Sequence, residues 1–107
     1  MITVEILETC LKEIKKFPKE VIKDILDLTV RMQDGEAFEM PLSRSMKTIG
    51  KSVFELRLKD KTGAYRVLYY VVSSKKEIYL LHAFKKKTQK TPKRNLDLAA
   101  KRLRGIS

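Results

Sequence analysis

Arg57 and Arg66 are the first residues whose placement suggests chemistry. Asp60-Lys61-Thr62-Gly63 is a hairpin turn by composition, so the flanking strands pair with Lys59 facing Ala64 and Arg57 directly opposite Arg66. Like charges opposed on one sheet face repel each other. A phosphate between them relieves the repulsion through bidentate hydrogen bonds. The plainer alternative pairs each arginine with an acid such as Glu55 or turns it to water. His82 is the only histidine. Imidazole is the natural proton-transfer group near neutrality, but a lone strand histidine is more often a satisfied half-buried side chain than a catalyst. A three-residue loop at 73–75 sets His82 beside Arg66, whereas a two-residue loop sets it opposite Val67 on the apolar face.

The run Phe84-Lys85-Lys86-Lys87-Thr88-Gln89-Lys90-Thr91-Pro92 leads four lysines into a helix N-terminus. That terminus offers unpaired N–H groups and a positive dipole end, both favourable to phosphate. Lys93 and Arg94 add cations to the first turn, where they oppose the dipole unless an anion joins them. Phe84 and Tyr65 present faces on which bases can stack, with core packing as the alternative for each. Other templates fail. The sequence has no glycine-rich phosphate loop, histidine pair for a metal or serine–histidine–acid arrangement, and no acidic cluster suited to Mg²⁺. A nuclease built this way is expected to need no metal or cofactor and to use the RNA 2′-hydroxyl as nucleophile.

These groups need elements to position them. Ile6, Leu7, Cys10, Leu11 and Ile14 recur at helical spacing. Phe17-Pro18 interrupts the pattern, and Pro18 opens a second helix running to Met32 and closed by Asp34-Gly35. The first forty residues read as a helical hairpin, with a short strand at Ile2–Val4 left open. Residues 39–52 read as a connection with a single turn around Met46. Val53–Lys59 alternates cleanly, Tyr65–Val72 is aromatic and β-branched, and Glu77–Phe84 makes a third strand. Thr91 suits an N-cap with Pro92 at the first helical position, and Leu96, Ala99, Ala100 and Leu103 form one apolar stripe. The expected class is α+β: an N-terminal helical hairpin packed on a small antiparallel sheet, with a C-terminal helix.

Length and charge set the bounds. The 107 residues allow one domain, 1–107. Met1–Leu42 carries 6 Lys/Arg against 9 Asp/Glu, whereas Ser43–Ser107 carries 18 against 4. Such asymmetry implies that one half builds or binds protein and the other meets phosphates. Nucleic acid is the first partner to consider and an anionic membrane surface the second. The single Cys10 excludes an internal disulfide and reads as a buried thiol. No apolar stretch approaches the roughly 18 residues of a membrane span, and the N-terminus has no secretory pattern, so a cytoplasmic location is expected.

Several segments together carry a resemblance: Glu39-Met40-Pro41-Leu42-Ser43, Phe54-Glu55-Leu56-Arg57, Gly63-Ala64-Tyr65-Arg66-Val67-Leu68-Tyr69, the run from Leu80 to Pro92, and Ala99-Ala100-Lys101-Arg102-Leu103. The chain resembles the HigB-like, phage-derived branch of the RelE/ParE toxin superfamily. The resemblance implies a compact sheet packed against a helical hairpin, and a toxin neutralised by a cognate antitoxin, expected to be of the helix-turn-helix type. It also implies mRNA cleavage on the ribosome. Carried onto this chain, Arg57 and Arg66 hold the scissile phosphate, Lys86 and its neighbours neutralise charge, and His82 is the general acid or base. Lys85, Lys87, Lys90, Lys93 and Arg94, with Tyr65 and Phe84, complete the expected RNA surface. Two other readings compete: a ParE-like toxin that binds a protein target such as gyrase, and a phage-derived nucleic-acid-binding protein without toxicity.

Overall fold

The computed structural model describes residues 1–106. Its elements are β1 (Thr3–Ile6), α1 (Glu8–Ile14), α2 (Lys19–Gln33), β2 (Ser43–Ser45), β3 (Val53–Asp60), β4 (Gly63–Val72), β5 (Glu77–Lys86) and α3 (Lys93–Arg104). The five strands form one sheet in the spatial order β1-β5-β4-β3-β2.

The α+β class holds, with two corrections. The sheet is mixed, because β1 runs parallel to β5 with Thr3 opposite Glu77 and Ile6 opposite Leu80. An edge strand of four residues draws its bonds from its partner's backbone, and nothing local in residues 2–6 names a partner 74 positions away. The N-terminal helices are also not a hairpin docked as a unit. α1 is a seven-residue helix against β5, whereas the fifteen-residue α2 lies against β1 and β3. The connection before β3 contains the short strand β2, and the turn at Met46 is present, with Ile49 and Gly50 N–H groups donating to its carbonyl.

Alternation along the strands separates two cores. On one face Leu56, Val67, Tyr69 and Leu80 pack against Cys10, Ile14, Val21 and Ile25. On the other, Val53, Leu68, Leu81 and Phe84 pack under Ala99 of α3, together with Met46. Each fully buried aliphatic side chain contributes about 1.5–3 kcal/mol. Cys10 is wholly buried, and desolvation pushes its thiol up to about 12, which makes it inert at neutral pH.

One irregularity decides which face the end of β5 presents. Val72 lies opposite Glu77 and Tyr69 opposite Leu80, but Leu68 lies opposite His82. Leu81 is thus an extra residue on β5, a β-bulge. Uninterrupted, the register beside the turn sets His82 opposite Val67 on the α2 side. The bulge changes the phase and sends His82, Phe84 and Lys86 to the α3 side. Among the described residues no helix is long and apolar enough to cross a membrane.

Candidate nucleic-acid interface

The β3–β4 hairpin pairs Arg57 with Arg66, as its two-residue turn requires, and Lys59 with Ala64. Gly63 closes that turn at φ +146, where a Cβ would stand 2.9 Å from the Lys85 side chain. Arg66 is only 7% exposed. Its Nη1 donates to the carbonyls of Tyr65 at 3.1 Å and Leu58 at 3.4 Å. Beneath it lies Glu55, 1% exposed, whose Oε1 is 3.6 Å from Arg66 Nε. The other Glu55 oxygen accepts the Thr91 hydroxyl at 2.8 Å. Thr91 is therefore not an N-cap: Pro92 holds that position, and the threonine ties the lysine-rich segment to the sheet.

One carboxylate does not saturate two guanidinium groups. Arg57 and Arg66 each have a buried Nε with no hydrogen-bond partner among the described residues, and Arg57 Nη1 makes only a 3.7 Å contact with Met40 Sδ. A buried unsatisfied donor is unfavourable by about 1–3 kcal/mol. Lys86 joins the pair across the narrow Ala64, its Cα partner on β4. Desolvation lowers the Lys86 pKa below the usual lysine value, and the charges of Arg66, Arg57 and Arg44 add to the effect against the opposing pull of Glu55. Desolvation likewise lowers Arg66, helped by Arg57 and opposed by Glu55. Arg57, Ala64, Arg66, Lys86, Lys87, Thr88 and Gln89 line a groove of about 540 Å³. Its four cations and neutral side-chain donors suit an anion with several acceptor oxygens.

The remaining expected site residues divide. His82 shares the Arg66 face but is 4% exposed and stacked on Phe84 at 5.2 Å. Its Nδ1 is 2.9 Å from Glu13 Oε1 and its Nε2 is 2.7 Å from Asn95 Oδ1, so both ring nitrogens are engaged in the interior. Phe84 lies in the core beneath α3. Tyr65 is 3% exposed on the opposite face, against Phe17, and Lys85 points that way beside it. Lys90, Lys93 and Arg94 are exposed, with Lys93 paired to Asp97 at 3.4 Å. The structure thus gathers Arg57, Arg66, Lys86 and Lys87, and leaves Tyr65, Phe84, Lys85 and His82 out of the groove.

Sequence reasoning missed what anchors α3. Glu13 of α1 accepts from the Ala83 N–H at 3.1 Å and from Arg102 Nη1 and Nη2 at 2.8 and 3.0 Å. Arg102 also donates to the Leu81 carbonyl. Asn95 completes the set from the first turn of α3. The only local signal was polar residues interrupting apolar stripes: Glu13 beside Ile14, and Asn95 beside Leu96.

Comparison with solved structures places the fold. A mutant E. coli toxin RelE in the free state superposes with a TM-score of 0.68 at 15% identity, covering 99% of this chain and 98% of that one. A chain of the intact E. coli RelBE toxin–antitoxin complex gives 0.63 at 17% identity, covering 82% and 100%. The RelBE2 toxin–antitoxin complex of Mycobacterium tuberculosis gives 0.59 at 16% identity, covering 79% and 91%. No curated protein matches the sequence. A family described as phage-derived proteins of the Gp49-like type matches residues 12–104. With that span including the last three residues of α1, every strand from β2 to β5, and α2 and α3 entire, this chain belongs to the Gp49-like family.

Proposed function

We propose that the chain is the toxin of a type II toxin–antitoxin pair, and that it cuts mRNA on the ribosome without a metal. The observation that carries this reading is the Arg57–Arg66 pair, two half-satisfied guanidinium groups facing a groove that Lys86 and Lys87 complete. The RelE-like fold and the antitoxin complexes formed by its structural neighbours support it.

In the proposed reaction the RNA 2′-oxygen attacks the adjacent phosphorus and its proton leaves to solvent. The bond from phosphorus to the 5′-oxygen breaks, and the products are a 2′,3′-cyclic phosphate and a 5′-hydroxyl. Arg57 and Arg66 hold the non-bridging oxygens as charge builds on the phosphorane. Lys86, whose desolvation and cationic neighbours make its proton easier to release, protonates the departing 5′-oxygen and recovers a proton from solvent. His82 has neither nitrogen directed at the groove, so its role is to fix α3 and Phe84 behind the site. The partners are a cognate antitoxin of helix-turn-helix type and the translating ribosome, in the cytoplasm.

Mapping mRNA 5′ ends during induced expression tests this reading. New 5′-hydroxyl ends are expected within translated frames, and the Arg57→Ala variant is expected to lose about 10²-fold in cleavage. Intact transcripts at growth-arresting levels would overturn the nuclease reading and favour a protein target such as gyrase.

A further inference from the structure

A second cavity, about 390 Å³, opens on the other side of the arginine pair. It shares Arg57, Ala64 and Arg66 with the polar groove, but its remaining walls are Pro41, Leu42, Leu58 and Lys59. The Arg57 N–H donates to the Leu42 carbonyl at 2.8 Å, and this bond fixes the Pro41-Leu42 segment beside the guanidinium group. The two chambers therefore meet at the arginines with unlike chemistry. One offers lysines and side-chain donors, whereas the other offers aliphatic walls with cations along one rim.

We propose that the Pro41–Leu42–Leu58 chamber is a nucleobase subsite, which takes one unpaired base adjoining the phosphate held by Arg57 and Arg66. The inference rests on the RNA reading above and deepens it by specifying a single-stranded substrate with a base at a fixed offset from the gripped phosphate. A base has flat apolar faces and a polar edge. Aliphatic and guanidinium surfaces accept the faces, and the rim cations Arg57 and Lys59 meet edge acceptors. A phosphate gains nothing from Pro41, Leu42 and Leu58, and an uncharged apolar ligand gains nothing from the rim. The volume lies within the roughly 300–1,000 Å³ of small-ligand sites. A stacked and paired base has neither face free for such walls, so the subsite takes its base from single-stranded RNA.

The test uses the whole purified chain and a fluorescein-labelled RNA nonamer, 2′-O-methylated throughout so that it binds without being cut. Anisotropy titrations compare the intact nonamer with a set in which one base at a time is removed and the backbone is left intact. One position is expected to lose roughly tenfold in affinity while its neighbours change by less than threefold. In the Leu42→Ala variant the intact and abasic ligands are expected to bind alike. Even losses at all positions, or a Leu42→Ala variant that keeps the single-position penalty, would overturn the subsite while leaving the phosphate groove standing. Failure of the intact nonamer to bind would overturn the subsite, whereas the RNA reading stands or falls by the mapped 5′ ends. The scan on the unmodified protein decides the question even if Leu42→Ala does not fold.

Discussion

Glu55 determines how the arginine pair must be tested. It is buried between Arg66 and Thr91, so Arg66→Ala removes a guanidinium group and also strands a carboxylate in the interior. Breaking a buried pair from one side is destabilising by about 3–5 kcal/mol because it leaves an uncompensated charge, and neutralising the stranded partner removes most of that penalty. Urea melts are expected to show a large loss for Arg66→Ala and recovery of most of it in the double variant Glu55→Gln, Arg66→Met. Equal stability of Arg66→Ala and the parent would mean that Glu55 does not depend on Arg66. Arg57→Ala is the cleaner probe of function, because Arg57 is only half-buried and makes no ion pair with Glu55 among those described. Glu13 has a different signature. Desolvation raises its pKa, but hydrogen bonds from His82, Arg102 and the Ala83 N–H outweigh this and hold it at about 2, below the ordinary 4.5. A depressed carboxyl stabilises the fold above its unfolded pKa, and that contribution is lost as pH falls from about 4.5 towards 2. Solvent screening of the partly exposed carboxylate brings the full effect to on the order of 1–2 kcal/mol. Glu13→Gln is expected to lower the melting temperature at pH 7 and to flatten its dependence on pH across that window. An unchanged acid limb would refute the anchoring role of Glu13.

At the scale of elements, the lysine-rich segment between β5 and α3 is held at one end by a single side-chain bond, Thr91 to Glu55. Pro92 caps α3 without a side-chain bond, so losing the Thr91 hydroxyl should free the segment and spare the helix. In Thr91→Val, hydrogen exchange is expected to quicken at residues 87–91 and to change little across Lys93–Arg104. Uniform quickening through α3 would mean that the threonine supports the helix after all. This bond also marks where the sequence was legible. The Arg57–Arg66 opposition could be read because a two-residue turn fixes the register within ten residues, and alternation then assigns faces. The side of His82 could not be read. It depends on the Leu81 bulge, which no local pattern announces, acting on a register set at the 73–76 turn. The parallel β1–β5 pairing and the Glu13–Arg102 bridge join positions 74 and 89 residues apart, beyond any periodicity. Thr91 satisfied the composition of a cap, but a buried carboxylate 36 residues earlier in sequence competed for its hydroxyl and won.

Over the whole molecule the question is whether the net charge of +11 acts as a diffuse cloud or through the groove. The fold argues for the groove. The acidic first forty residues supply β1, α1 and α2, whereas Arg57, Arg66, Lys86 and Lys87 converge on the other face of the sheet. Exposed lysines outside the groove, such as Lys12 of α1, are screened from its ligand at physiological salt, where the screening length is about 8 Å. Each phosphate neutralised on a single strand contributes about −0.7 to the slope of log affinity against log salt. With Arg57 and Arg66 sharing one phosphate, the groove neutralises at most three, which predicts a slope of about −2 for the uncut nonamer, and Arg57→Ala should make it shallower while Lys12→Ala leaves it unchanged. A cloud mechanism gives the opposite pattern: a steeper slope, reduced alike by the loss of any lysine or arginine. Titrations of these three proteins between about 50 and 300 mM salt, over which the screening length falls from roughly 14 to 6 Å, separate the two. Equal effects of Arg57→Ala and Lys12→Ala would show that the opposed arginines hold no particular phosphate.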